Sequence, residues 1–514
     1  MGAAAQRDIR LDAPLPAIVA LAAVLLLANL GNRFLWQDEA QTALIAKTVL
    51  DGGIPRGTDG RNSFSQEQGA EYGADGIWKW HTWLSFYPVS LSFALFGETP
   101  FAARLPFALF ALATVPLVFA AGRTLWRDRH AALAAALLLS LSVPFLLLSR
   151  QSRYYALASL LSLWGLRAYA RLGAARAAPW ALLAAAVLLF HTHYVYAATL
   201  LATLLLHAAC CERQRLRPVL WVSAASAAQA VPWIWWFASI RLSPEKAGSF
   251  LDLSDTLLHV WSYTGLLFGV LFAHGAFLLL PLLLAGLRGF RGEPVWQVSR
   301  ETWSGVVLLA LYGTVTILLL SLLSPLYYVR YLTPLLPPLF LLAGLWLAAL
   351  WRESRAAAAA VVVLFAATGS LPAFLHEITH DYDGPIEGIV GFLEEHAEQG
   401  DLVAMVYGDL PVKFHTGLRV VGGLTGEDLG PAAEARFVIL RRHLVNEASA
   451  TVHRELAELL RSGDYRRHVL AAPDIAFENR EDPQLHRFRT VRAAPPVAIW
   501  ERRPPAIDGP RPPG

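Results

Sequence analysis

The chain has 514 residues, 55% of them hydrophobic and only 16% charged, with a mean hydropathy of +0.42. Soluble chains carry about a quarter charged residues, so this composition argues against a soluble globular protein. The net charge of +3 is small and falls mostly in short loops, which argues against nucleic-acid binding. Cys210 and Cys211 are adjacent and cannot frame a fold by a disulfide; they read as small apolar residues.

Apolar blocks of roughly 20 residues, enough to cross a bilayer, recur along the chain. They predict a polytopic α-helical membrane protein of about eleven spans: 14–30, 100–121, 131–149, 154–170, 179–192, 194–210, 218–238, 257–287, 303–323, 331–351 and 356–375. The halves on either side of residue 193 are short, and 257–287 is longer than one span needs, with room for a surface helix at its start. The first span lacks a small-x-small cleavage site and reads as retained.

The first outer loop, 31–99, opens on Asp38-Glu39. From there DEAQTALIAKTVLDGG has a rough helical stripe ended by Gly52-Gly53. A polar, Gly-rich stretch, 52–76, reads as a mobile link. Trp78, Trp80 and Trp83, beside Lys79 and His81, suit the headgroup layer, and 82–96 reads as a helix lying on the outer surface. Thr99-Pro100 supplies the N-cap and first-turn proline of the next span.

Arginines sit in every second short loop: 123, 127 and 129; 167, 171 and 176; 213, 215 and 217; 288, 291 and 300; 352 and 355. Arg7 and Arg10 precede the first span. The positive-inside rule makes these loops cytoplasmic, with the N-terminus, and puts Asp38-Glu39 and the C-terminal segment outside. That segment, 380–503, is more charged. Stretches 385–399 and 446–462 look helical, and Leu402–Tyr407, Phe437–Leu440 and Val497–Trp500 look like strands. The pattern predicts a small extracytoplasmic α/β domain, followed by a Pro/Gly-rich disordered tail over 504–514. Residues 1–379 would then be the membrane catalytic domain.

An outward-facing site has no nucleotide sugar or ATP at hand, so a sugar carried on polyprenyl phosphate is the natural donor. Its phosphate departs as a stabilised anion. The reaction then needs a base for the acceptor hydroxyl and cations for the phosphate. The outer loops hold such groups: Lys79, His81, Arg150, Arg153, Tyr154, His191, His193, Arg330 and Tyr331. Arginine forks suit phosphate oxygens.

Each residue also has a plainer reading. The acids suit the first turn of a helix. Lys79 and His81 can anchor at the interface, and Arg150 and Arg153 can be flanking charges. His191 and His193 can bond backbone, or join Glu39 around a divalent metal. Tyr154, Tyr155, Tyr327, Tyr328 and Tyr331 fit an aromatic belt, and Arg104 suits a partner such as Glu98.

FLWQDEAQTA after the first span resembles the acidic first-loop motif of the GT-C membrane glycosyltransferases, most closely the protein O-mannosyltransferase and lipid A aminoarabinose transferase group. WKWHTWLSFYPVSLSFALFGETPFAARLPFALFALATV, RQSRYYAL, FHTHYVYA and VRYLTPLLPP are similar to later segments of that group, and ENREDPQLHRFRT is a weaker match in the tail. The resemblance implies a GT-C-like membrane domain and no certain cofactor. It implies Asp38 as general base, Glu39 beside it, Lys79 or His81 at the donor phosphate and Arg330 as a further phosphate contact. Thr82-Trp83 stand where the family has two prolines, which leaves Lys79 and His81 as alternatives.

The expected activity is inverting transfer of a hexosyl or pentosyl group from a polyprenyl-phosphate donor to an acceptor on a protein, lipid or polysaccharide. The expected location is a bacterial inner membrane. Two other readings stand beside it: a transporter or flippase of lipid-linked sugars, which would show repeats or midplane charges, and an O-antigen-ligase-like enzyme with a diphosphate donor, which would lack the acidic pair.

Overall fold

The computed structural model describes residues 14–237, 253–279, 299–323, 328–380, 384–444, 447–474 and 495–503. These divide into two compact units. One comprises 14–32 and 79–380; the other joins 33–78 to 384–474 and 495–503. The first-loop stretch 33–78, expected with the membrane domain, thus groups with the C-terminal segment.

In chain order the helices are α1 (Pro14–Leu27), α2 (Gln37–Gly52), α3 (Phe86–Phe96), α4 (Pro100–Trp126), α5 (Arg129–Ser140), α6 (Val143–Ser149), α7 (Tyr155–Ala170), α8 (Ala178–Thr192), α9 (Tyr194–Cys210), α10 (Leu216–Phe237), α11 (Leu253–Leu266), α12 (Arg300–Leu323), α13 (Leu336–Glu353), α14 (Arg355–Thr368) and α15 (Leu371–Thr379). All but α2 belong to the first unit.

Among the described residues three helical stretches are long and apolar enough to cross a membrane: Pro100–Trp126, Arg300–Leu323 and Val329–Glu353. Three bent pairs raise the number to six if each counts as one span. Segment 131–149 is expected as one span. It bends by 62° between α5 and α6, where Ser142 caps α6 and Pro144 follows in the first turn. Segment 356–375 likewise bends by 55°, at Gly369-Ser370. The remainder of 257–287 bends by 97° near Phe272, and residues 280–287 lie outside the described residues. Side chains such as Trp235 and Trp261 are about four-fifths exposed (83% and 79%), a placement that suits lipid.

Small residues let the bundle pack closely. A Cβ on Gly344 of α13 would lie 2.6 Å from the Ala131 carbonyl of α5, so the two backbones meet where only glycine fits. Helix α3 starts at Phe86, four residues later than expected. Before it, the Thr82 hydroxyl and the Leu84 N–H are given to the carbonyls of Phe190 and His191 at the end of α8 (both 2.9 Å). Those carbonyls would otherwise be orphaned at a helix C-terminus. Phe86, Val89, Ser90 and Phe93 form its buried face at helical spacing.

The second unit adds α16 (Pro385–His396), β1 (Leu402–Met405), α17 (Asp409–Thr416), β2 (Arg419–Gly422), β3 (Phe437–Ile439), α18 (Glu447–Ser462), β4 (Tyr465–Pro473) and β5 (Pro496–Arg502). The sheet order is β2-β1-β3-β5-β4. Strands β2, β1 and β3 run parallel, and β5 and β4 pair antiparallel. Val403 and Met405 of β1 pack with Ile386, Ile389 and Val390 of α16. Leu402 and Ala404 pack with Val452 and Leu456 of α18. Both faces are covered, which is why β1 reads as an unbroken apolar run instead of an alternating one. Gly408, at φ +95°, makes the sharp turn from β1 into α17.

The stretch 52–76 is held, not a loose link. Bridges join Arg56 to Ile77, Thr58 to Ser63 and Tyr72 to Trp78. Trp78, expected at the headgroups, is fully buried in this unit. Asn62 covers the rim of the sheet: its amide donates to the Leu418 carbonyl (3.1 Å) and accepts from the Val420 N–H (2.9 Å). Asn62→Ala would strand both backbone groups. It should destabilise the unit by about 1–3 kcal/mol, read as a lower melting temperature of the purified protein.

Candidate functional site

Helix α2 carries the acidic motif and is buried over most of its length, polar residues such as Gln37, Glu39 and Gln41 included, up to Val49. Sequence periodicity suggested an amphipathic stripe. Instead, its glutamines are matched to partners. Gln37 donates to Asp409 of α17 (2.8 Å), and Asp409 pairs with Lys413 one turn on (2.8 Å). Lys413 also donates to the Ser63 carbonyl (2.8 Å). A buried charge pair of this kind is tolerated only when further hydrogen bonds complete it. Here the amide of Gln37 and the Ser63 carbonyl do so.

Asp38 and Glu39 are neighbours with different surroundings. Glu39 is 1% exposed, and its carboxylate reaches back to the Trp36 N–H (3.5 Å) in a capping box. That contact gives it a helix-start role. Asp38 is half-buried, and its carboxylate accepts from the Gln66 side-chain amide (3.3 Å). One turn along α2, Gln41 donates to the Glu71 carboxylate (3.0 Å) and to the Phe64 carbonyl (2.9 Å). Glu71 is 2% exposed. Burial, the largest influence, pushes it up to about 7, against the lowering effect of its hydrogen bonds with Ser65, Gln66 and Gln41.

The cationic and aromatic residues lie in the first unit, at one end of its helices. The His81 ring stacks on Phe86 (5.2 Å) and meets Tyr154 edge-on (6.2 Å). His193, the junction between α8 and α9, packs against Tyr154 (4.7 Å) and Tyr196 (4.8 Å). Its buried Nδ1 has no hydrogen-bond partner among the described residues. The Arg153 guanidinium lies over Tyr154 (5.6 Å). The Tyr196 hydroxyl donates to the Tyr331 carbonyl (2.7 Å), and Arg330, 6% exposed, lies over Tyr328 (4.0 Å) and near Tyr331 (5.9 Å). The fold thus links His81, Arg153 and His193 through Tyr154, and Tyr154, His193 and Tyr331, with Arg330 beside it, through Tyr196. Lys79 sits apart, over Trp236 (5.3 Å).

Arg150 has a different task. It donates to the Leu25 and Leu26 carbonyls (both 3.0 Å) and the Asn29 carbonyl (3.3 Å), closing the C-terminus of α1. Arg104 donates to the Leu30 carbonyl (3.1 Å) at the same place. His191 bonds Gln229 (3.0 Å). Among the described residues no three His, Cys, Asp or Glu side chains converge as a metal site. Gln66, Glu71 and Asp409 carry no motif signal; only their contacts with α2 single them out, and Gln37, inside the FLWQDEAQTA motif, is picked out by its bond to Asp409.

Two outcomes follow. Arg150→Ala should destabilise the first unit by about 1–3 kcal/mol through lost charge-assisted bonds to α1, measured by thermal unfolding in detergent. Glu71 binds a proton in the folded state between about 4.5 and 7 that the unfolded chain has lost. Its contribution to stability therefore falls as pH rises through that window. Melting curves across pH 5–8 should show the wild type losing stability relative to Glu71→Gln as pH rises.

No protein-family profile matches the chain, and no curated protein matches it. Among solved structures, ArnT from Cupriavidus metallidurans bound to undecaprenyl phosphate is similar, at 16% identity and a TM-score of 0.61, over 97% of this chain and 99% of that one. Its apo state is similar at 15% identity and a TM-score of 0.61, over 95% and 97%. The archaeal oligosaccharyltransferase AglB from Archaeoglobus fulgidus, in complex with an inhibitory peptide and a dolichol-phosphate, is similar at 10% identity and a TM-score of 0.52, over 90% of this chain and 74% of that one. At these identities the likeness establishes the fold.

Proposed function

We propose that this chain, which has the fold of the GT-C membrane glycosyltransferases, transfers a sugar from polyprenyl phosphate to an acceptor hydroxyl on the extracytoplasmic face. The observation that carries the reading is the fold likeness over nearly the whole chain to ArnT, a protein seen with undecaprenyl phosphate. The acidic motif after α1 and the cationic aromatic cluster of the first unit support it. The C-terminal α/β unit and Asp38 would face outward, with the chain in a bacterial inner membrane and about eleven helices crossing it.

Asp38 would take the proton from the acceptor hydroxyl. The freed oxygen would attack the anomeric carbon as the bond from that carbon to the phosphate oxygen breaks. The electron pair leaves with polyprenyl phosphate, and single displacement inverts the anomeric centre. Arg330 and Arg153, with Lys79 or His81, would meet the growing phosphate charge. Glu39 would hold the helix start on which Asp38 is presented. The sugar would be a hexose or pentose.

Asp38→Asn in a membrane transfer assay should cost on the order of 10²–10⁴-fold in rate. Activity within about threefold of wild type would remove Asp38 as the base. Mass spectrometry of lipid co-purified with the protein would name the donor head group; a diphosphate-linked lipid would overturn the monophosphate assignment.

A further inference from the structure

We infer that Gln66 is a positioning residue for Asp38, and that Glu71 holds Gln66 in place by clamping the 64–71 turn onto helix α2. This deepens the reading of Asp38 as base and rests on it.

The geometry is a closed ring. Asp38 and Gln41 are three apart on α2 and share a face. Gln66 donates its side-chain amide to Asp38 Oδ1 (3.3 Å). The backbone N–H of the same Gln66 donates to Glu71 Oε2 (2.6 Å). The Glu67 N–H (3.0 Å) and the Ser65 hydroxyl bond the same oxygen. Glu71 Oε1 accepts from Gln41 (3.0 Å), which returns the ring to α2. Ser65 Oγ accepts from the N–H groups of Glu67 (3.0 Å) and Gly69 (2.8 Å), so the turn closes on itself as well.

A polar turn that needed only solvent would not bury a carboxylate at 2% exposure. Burial penalises Glu71, and its raised affinity for protons records that cost. What the burial achieves is a fixed backbone at residue 66, one side chain away from Asp38. An amide held there limits rotation of the Asp38 carboxylate, and orientation of a reacting group is worth large factors in rate.

The test uses the full chain in membranes holding its own radiolabelled polyprenyl-linked sugar and acceptor, with melting temperatures measured alongside. Gln66→Met keeps length and removes the donor. It should lower transfer about tenfold with the melting temperature unchanged. Gln66→His, which retains an N–H donor, should recover part of that loss. Glu71→Ala should fall at least as far, and adding Gln66→Met to it should cost less than about twofold more, because the two act in series. If Glu71→Ala fails to accumulate, Glu71→Gln takes its place in the cycle. Asp38→Asn is run beside them. If it is inactive while Gln66→Met transfers within twofold of wild type, this inference falls and the base assignment stands. If Asp38→Asn retains wild-type transfer, both fall. A rate loss that simply follows a lower melting temperature overturns positioning in favour of a scaffold role.

Discussion

The buried contact between Gln37 and Asp409 joins two pieces of chain 372 residues apart. It fixes helix α2 against α17, and with it the carboxylate next in sequence. Asp409 is 1% exposed and Lys413 4%. Two charges so far from water would be a liability alone. Gln37 and the Ser63 carbonyl complete their hydrogen bonding, so the charge pair becomes a rigid mount. The α/β unit is therefore not an appendage to the acidic motif. Its own helix supplies one wall of the motif's surroundings.

The first unit solves a different problem, that of polar groups among apolar helices. Arg150 and Arg104 spend their donors on carbonyls at the end of α1. Thr82 and Leu84 satisfy the end of α8. Helix ends in an apolar setting need such partners, because water is scarce there. Arg153 and Arg330 instead rest on tyrosine rings, and the His193 ring packs against Tyr154. Cations laid on aromatic faces keep part of their electrostatic reach while staying anchored.

Much of the architecture was legible because burial leaves a mark in sequence. Strands β1, β3 and β5 stood out as strand-like runs, and α16 and α18 as helix-like stretches. The runs for β2 and β4 did not. Four residues, Arg419–Gly422, are too few to show a pattern, and Arg466, Arg467 and His468 give β4 the look of a loop. Helix α17 contains Pro411 and little apolar periodicity, so its buried Asp409-Lys413 pair was invisible. In the candidate site, the motif singled out Asp38 and the outer loops singled out the basic residues, whose roles stay proposals. Gln66 and Glu71 were not: they lie in a Gly-rich stretch whose composition predicts mobility, and only contact with α2 reveals their order. Arg150 was legible as a cation at a helix end, but the carbonyls it serves belong to a helix more than a hundred residues earlier.

The Asn62 bracket on strand β2 spans 356 residues of chain. During synthesis the early half of that bracket must wait, unmatched, while helices α3 to α15 of the first unit are made. Its docking partner is made only after those helices, so this edge of the sheet is closed late in synthesis. Until then Asp38 has no fixed mount. The order of the residues thus sets the order of assembly, and the early loop is locked down only when a strand made much later arrives.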